Sequence, residues 1–368
     1  MESIVRLTLG VNSERAEGRF AVVFPARRRN KALPMRMRMN QAITRAIADE
    51  MELDPRVVVF GEDVAVAEGP FKTSEGLLTT FGPDRVRDTP ISETGFLGAA
   101  VGAAMTGLRP VTEIMFIEFL GVAFDQVVTE AALMHYLSAG RFNVPMVVRA
   151  SAGSGLGFGC QHSQTLERWM LGTPGLKLAV ASGARTAYGL TRAAIRDNNP
   201  VVLLEPRALY GEREDVEPGE ASIIELGTSE TLRNGTDVTV VALGQTVQVA
   251  LAAEASASWS GEVIDLRSLM PWDKEAIVAS AKRTGRLVIV EENQFTGGWG
   301  TEIASYVSSA AFGDLKAPVV RVTAPDVPVP FGQELEKRFL PSPEYVVQQV
   351  DELLATNSAP APWWKEFA

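Results

Sequence analysis

Glu93 closes the run Asp88-Thr89-Pro90-Ile91-Ser92-Glu93 and opens a stretch rich in Ala and Gly. A single carboxylate heading a nearly uncharged helix must be solvated, paired, or bonded to a group that needs an acid. Only the last is chemistry; in the first turn a glutamate also meets the positive end of the helix dipole, worth about 0.3–1 kcal/mol. Glu62 follows the apolar run Val57 to Phe60, which reads as a strand, and open α/β sheets place ligands at the carboxyl ends of their strands. His162 lies between polar neighbours in a Gly-rich loop, where an exposed imidazole can pass protons. Cys160 stands two positions from His162. Neighbours at that spacing point to opposite sides of an extended loop, so a thiol hydrolase is set aside.

Other chemistries lack their residues. Gly153, Gly155, Gly157 and Gly159 alternate, but Phe158, Cys160 and His162 fall where the last glycine of G-x-G-x-x-G should be. A G-K-[ST] phosphate loop is absent, and with His135 and His162 as the only histidines and Cys160 the only cysteine, a catalytic zinc site is excluded. Gly297-Gly298-Trp299-Gly300 precedes a helix and could receive an anion on its amides, but with no basic residue nearby a tight turn is expected.

The elements that must hold these residues follow from length and pattern. The 368 residues suit two cores, and a composition of 46% hydrophobic and 22% charged residues is that of a globular protein. A net charge of -10 argues against nucleic acid or an anionic membrane as partner. The longest weakly polar stretch, Gly95 to Leu108, is shorter than the roughly 20 residues of a membrane span. The single cysteine fits a reducing compartment, and a bacterial-type cytoplasmic location is expected ahead of a mitochondrial matrix.

From Asn40 onward helices and short apolar strands alternate, as a parallel sheet covered on both faces requires. Helices are expected at Asn40 to Glu52, Glu93 to Met105, Phe119 to Ser138 and Arg185 to Arg196. Strands are expected at Val57 to Phe60, Val111 to Met115, Met146 to Arg149, Leu178 to Ala181 and Val201 to Glu205. A polar, acidic stretch from Tyr210 to Ala221 precedes a second alternating series from Asp237. The fold class is therefore α/β with two three-layer domains, at 39–215 and 222–356. Residues 1–38 carry eight arginines and no periodic pattern. They read as an extension without a fold of its own, more consistent with a start site placed too far upstream than with a cleaved leader, given Glu2, Glu14 and Glu17. The tail 357–368, with Trp363 and Trp364, is expected to pack on a neighbour or to fray.

Gly61-Glu62-Asp63, the run ending in Glu93, Gly-Leu-Arg-Pro at 107–110, Gln161-His162-Ser163-Gln164 and Ala194-Ile195-Arg196-Asp197-Asn198-Asn199-Pro200 occur in that order. Together, over about residues 38–355, they closely resemble the beta subunit of the thiamine-diphosphate-dependent decarboxylating component of 2-oxoacid dehydrogenase complexes. The resemblance implies a pyrimidine-binding transketolase-like domain followed by a transketolase carboxy-terminal domain. It implies that Glu93 bonds the pyrimidine ring nitrogen and favours the imino tautomer, whose exocyclic nitrogen deprotonates the thiazolium carbon. It further implies that Glu62 joins Glu93 in a relay between active sites, that Phe119 stacks on the ring, and that Ile91 and Met115 contact it. His162 lines the substrate side, and Met146, Ala194, Ile195, Asp197 and Asn199 match a structural potassium site; an Asp-Asn-Asn helix cap is the competing reading. Gly98 and Gly102, four apart, share a helix face that another helix could approach.

The resemblance further implies an alpha subunit that holds the diphosphate and magnesium, an alpha2-beta2 heterotetramer, and a lipoyl-bearing acyltransferase core whose basic segment suits an acidic partner. The only Gly-Asp pair here, Gly313-Asp314, is followed by Leu315, so the chain is expected to form half of an active site. Pyruvate, branched-chain 2-oxoacids and acetoin are the candidate substrates. Val122 departs from a polar residue of some pyruvate-type members. A single-chain enzyme and a non-catalytic scaffold subunit are the alternatives.

Overall fold

The structure is a computed structural model that describes residues 34–367, so residues 1–33 of the expected extension lie outside the described residues. Met35–Arg38, assigned to that extension, instead form strand β1. The correction has a simple cause: β1 finds an antiparallel partner in β8 (Arg213–Val216), which satisfies its backbone groups.

Six parallel strands make the first sheet: β2 (Val57–Gly61), β3 (Val86–Asp88), β4 (Arg109–Ile114), β5 (Val147–Ala152), β6 (Lys177–Val180) and β7 (Val201–Pro206). β5 and β7 are buried along their whole length, as a sheet covered on both faces requires. On one face the helix Met39–Leu53 packs on the helix Ala184–Arg196. Ala42, Ala46, Ala187 and Ala194 let the two approach, and Ile43, Ile47 and Leu190 fill the seam.

The second sheet contains β9 (Glu230–Arg233), β10 (Val238–Ala242), β11 (Gly261–Asp265), β13 (Leu287–Gln294) and β14 (Val320–Ala324), ordered β14-β13-β10-β11-β9 with β9 the antiparallel edge. β12 (Ser268–Met270) leaves this half and pairs antiparallel with β6, so the first sheet is β12-β6-β7-β5-β4-β2-β3. Sequence pattern separates the two domains cleanly; the chain ties them together with a strand too short to carry periodicity.

One expected element differs in kind. Phe119 to Ser138 is not a single α-helix but a 3₁₀ segment Ile117–Ala123, a π-turn Gln126–Ala131 and a short α-helix Ala132–Leu137. The Thr94 hydroxyl donates to the Val122 carbonyl at 2.6 Å, drawing that carbonyl toward another helix rather than along its own axis. The tail is also corrected: Trp363 is buried, its indole donates to the Thr323 carbonyl at 2.9 Å, and it stacks on Tyr345 at 4.0 Å. Burial of a large ring with a satisfied N–H fixes this segment to its own chain.

Beneath the sheet ends lies a buried ionic core. Arg149 on β5 donates to Glu205 on β7 at 2.7 Å and to Glu113 on β4 at 2.9 Å. Thr73 donates to Glu113 at 2.9 Å and the Tyr210 hydroxyl to Glu205 at 2.8 Å. A buried pair of this kind persists only when its remaining lone pairs are also satisfied.

Candidate active site

The carboxyl ends of β2, β4, β5 and β7 converge. Glu62 extends β2 and Met115 extends β4, while the loop carrying His162 leaves β5 and Arg207 follows β7. Glu93 is the first residue of the helix Glu93–Met105, and the Ser92 side chain does not cap that helix. The amide of Thr89 donates to the Gly61 carbonyl at 2.9 Å, fixing the segment that leads to Glu93 beside the end of β2.

Glu93 stands close enough to Glu62 to act on its carboxyl. Burial pushes the Glu62 carboxyl above its ordinary value, and repulsion from Glu93 and Asp63 adds to it. Glu62 Oε1 and Thr89 Oγ1 are buried with no protein hydrogen-bond partner. Two acids and two open polar atoms, with Thr94 next to Glu93 bonded to the 3₁₀ segment that carries the half-buried Phe119, suit a heteroaromatic base that carries ring nitrogen and amino groups. The residues present therefore fit the pyrimidine half of thiamine diphosphate.

His162 packs against the aromatic pair Phe116 and Phe119. Its ring lies edge-on to Phe116 at 4.7 Å and to Phe119 at 5.7 Å. Met115 is half-buried, and its carbonyl accepts from the Ser151 hydroxyl. Ile91 is 85% exposed, so this side of the expected ring contact is open in the single chain. His135 belongs elsewhere: its Nδ1 lies 3.1 Å from the Phe142 carbonyl at a helix end.

Sequence reasoning missed two charged residues here. Glu118 accepts the Gln164 amide on Oε1 at 2.7 Å, while Oε2 is buried without a partner. Burial pushes Glu118 up, opposed by the Gln164 amide and by the nearby Arg207 and His162. Arg207, 3% exposed, donates to Ser151 Oγ at 3.0 Å, to the Gly153 carbonyl at 2.7 Å and to the His162 carbonyl. Neither stands out in the sequence, because the groups each one holds lie on segments distant in the chain.

The residues matched to potassium lie at the opposite edge, where Met146 precedes β5 and Asp197 to Pro200 precede β7. Arg109 donates to the carbonyls of Ile195 and Asp197, each at 2.9 Å. The carbonyls of Met146 and Ala194 accept from Val201 and Asp197, at 3.0 Å and 3.3 Å. The Asp197 carboxylate takes Lys177 and both nitrogens of Asn199. Gly98 meets the Gln126 amide rather than a helix backbone, and nothing lies within 4 Å of the β-carbon position of Gly102. At the glycine turn, the Gly300 amide donates to Glu291 at 3.0 Å, so the chain's own acid takes the amide an anion would seek.

Residues 35–213 match the family described as transketolase, pyrimidine binding domain, and residues 227–346 match transketolase, C-terminal domain. The pyruvate dehydrogenase E1 component subunit beta of Rickettsia felis is 43% identical over 324 residues, 87% of this chain and 98% of that protein. The acetoin:2,6-dichlorophenolindophenol oxidoreductase subunit beta of Bacillus subtilis is 41% identical over 331 residues, 86% of this chain and 96% of that one. A solved structure described as a split gene transketolase, inactive beta4 tetramer, superposes with a TM-score of 0.70 at 26% identity, covering 89% of this chain and 99% of its own. With a pyrimidine-binding and a C-terminal transketolase domain in this order and relatives of this identity over most of its length, the chain belongs to the family of E1 beta subunits of pyruvate dehydrogenase and its acetoin-type relatives.

Proposed function

We propose that this chain supplies the pyrimidine half of a thiamine-diphosphate site and, with an alpha subunit, decarboxylates a 2-oxoacid and acylates lipoamide on an acyltransferase core. The observation that supports the reading is the approach of Glu93 to Glu62, with the neighbouring Thr94 bonded to the segment whose Phe119 packs on His162. When bound, the cofactor supplies the carbanion-stabilising thiazolium that the side chains of this protein lack.

Glu93 would hold the ring nitrogen of the pyrimidine by a hydrogen bond through its carboxyl group. Glu62, raised by burial and by Glu93, stands as the second acid of the same pair. Phe119 and Met115 orient the ring, and Ile91 does so once a partner covers it. His162, between Phe116 and Phe119, holds or passes a proton on the substrate side. The alpha subunit holds the diphosphate and magnesium, and two of each chain make an alpha2-beta2 heterotetramer. We assign residues 39–215 and 222–356 as the two functional domains and, given one exposed cysteine, a reducing cytoplasm as the location. Among the described residues no helix is long and apolar enough to cross a membrane.

The carbonyls at Met146, Ala194, Ile195 and Asp197 each keep a second lone pair, as does the Asn199 amide oxygen. A potassium ion there shares its turn with Arg109 and Lys177. On this reading, replacing potassium by a bulky organic cation lowers the thermal midpoint of the complex, and an unchanged midpoint removes potassium from the site.

Co-expression with an alpha subunit, followed by turnover with pyruvate, 2-oxoisovalerate and acetoin side by side, tests the function. A 2-oxoacid should be consumed with lipoyl acylation, and Glu93→Gln should lower turnover about 10²–10⁴-fold, the range of general acid–base catalysis. Full activity of E93Q would end the catalytic reading. Turnover of acetoin alone would move the substrate to the acetoin type.

A further inference from the structure

The loop from Gly153 to Gln164 is closed at its neck, where the Gly153 amide donates to the Gln164 carbonyl at 2.9 Å. Four glycines in it, Gly153, Gly155, Gly157 and Gly159, have φ between 73° and 108°, a left-handed path that leaves the backbone without regular pairing. Such a segment keeps one shape only if its polar groups are held from outside.

Residues from both halves of the chain hold it. At the start, the Ser154 amide donates to Glu292 at 2.5 Å, and the other oxygen of Glu292 accepts from Gln245. In the middle, the Gly157 amide donates to Glu336 at 2.7 Å. At the end, the Gln164 amide donates to Glu118. Beneath the loop, one guanidinium group, that of Arg207, reaches the carbonyls of Gly153 and His162 and lies 5.3 Å from the Phe158 ring. Burial lowers Arg207 from its ordinary value, and Glu118, Tyr210, Glu292 and Glu336 pull against that loss.

Glu336 sits on the helix Gln333–Phe339 of the second half and is 1% exposed. Its Oε2 takes the Gly157 amide and its Oε1 has no partner. Nothing in the packing of its own helix accounts for an acid there. We propose that Glu336 and Arg207 are positioning residues that set His162. The guanidinium fixes the loop by its carbonyls and Glu336 fixes the crown by an amide, so the imidazole reaches its place only when the second half is docked. This rests on the role given to His162 above.

The test uses the reconstituted complex with its alpha subunit, reading kcat and KM for the 2-oxoacid together with hydrogen exchange of residues 153–164. Glu336→Ala should speed exchange in the loop and lower kcat by roughly tenfold or more, as loss of a hydrogen bond to a charged group does, with KM little changed. Glu336→Gln keeps an acceptor for Gly157 and should restore both, and Arg207→Lys should loosen the loop to an intermediate degree. The double variant H162A/E336A should be no slower than H162A. Unchanged exchange in E336A, or losses that multiply in the double variant, overturns the proposal. A wild-type rate for H162A bears on the role of His162, whereas exchange reads the clamp whatever that role is.

Discussion

Glu62 carries an unfavourable charge. Burial first and Glu93 second raise its pKa, so the folded chain holds a proton there that the unfolded chain has released. Its contribution to stability is present below the ordinary carboxylate range and is lost as pH rises through the folded value. Glu62→Gln should therefore raise the thermal midpoint at about pH 7–8, with little effect at the acid end, while turnover of the complex falls. A variant that is neither more stable nor less active would show that the acid is merely solvated. Arg149 is the opposite case, a buried cation paired with Glu113 and Glu205. Arg149→Met leaves two buried acids uncompensated and should cost about 3–5 kcal/mol in urea unfolding. Of these residues, Glu62 and Glu93 were legible in the sequence, because a lone acid beside an apolar run has few alternatives. Arg207, Glu118 and Glu336 were not: their partners lie on segments far apart in the chain, and each by itself reads as a surface charge.

Elements place these residues to within a methyl group. A β-carbon on Gly61 would lie 2.7 Å from the Glu113 carbonyl, so β2 and β4 need hydrogen at that position. Gly61→Ala should cost about 1–3 kcal/mol of stability, the usual range for overpacking. It should also lower turnover, because Glu62 is the next residue; wild-type activity at reduced stability would separate the two effects. The regular helix Glu93–Met105 has the bounds its pattern gives. The segment Ile117–Leu137 does not follow its apolar pattern as one α-helix: a 3₁₀ turn comes first, and Thr94 takes the Val122 carbonyl where that turn gives way to the π-turn. In that turn the Phe119 ring faces His162. Periodicity reports which residues are buried, not which carbonyl a distant hydroxyl will take.

Across the whole molecule the two halves meet through acids. Ser182 donates to Asp265 at 2.9 Å and the Ser154 amide to Glu292. Burial pushes both carboxyls up to about 7. Both keep their protons in the fold across a range where the unfolded chain has lost them, so stability should decline as pH rises from the ordinary carboxylate range to about 7. A thermal midpoint measured against pH should show that decline, and Glu292→Gln should reduce it. A flat profile in the wild-type protein would exclude proton uptake at this junction.

The sequence by itself determined the two α/β halves, the acids and imidazole worth attention, and the family they resemble. Those depend on local pattern and on the rarity of a charge among apolar neighbours, and both survive without coordinates. Only the tertiary structure decided that Met35–Arg38 is part of the fold, that β12 crosses into the first sheet, and that the Trp363 tail packs on its own chain. It alone gathered Arg207, Glu118, Glu292 and Glu336 around the His162 loop. The physical reason is common to all of these. A short strand, a buried ring or a buried acid is stable only through a partner remote in sequence, and folding selects that partner by satisfying its hydrogen bonds and excluding water.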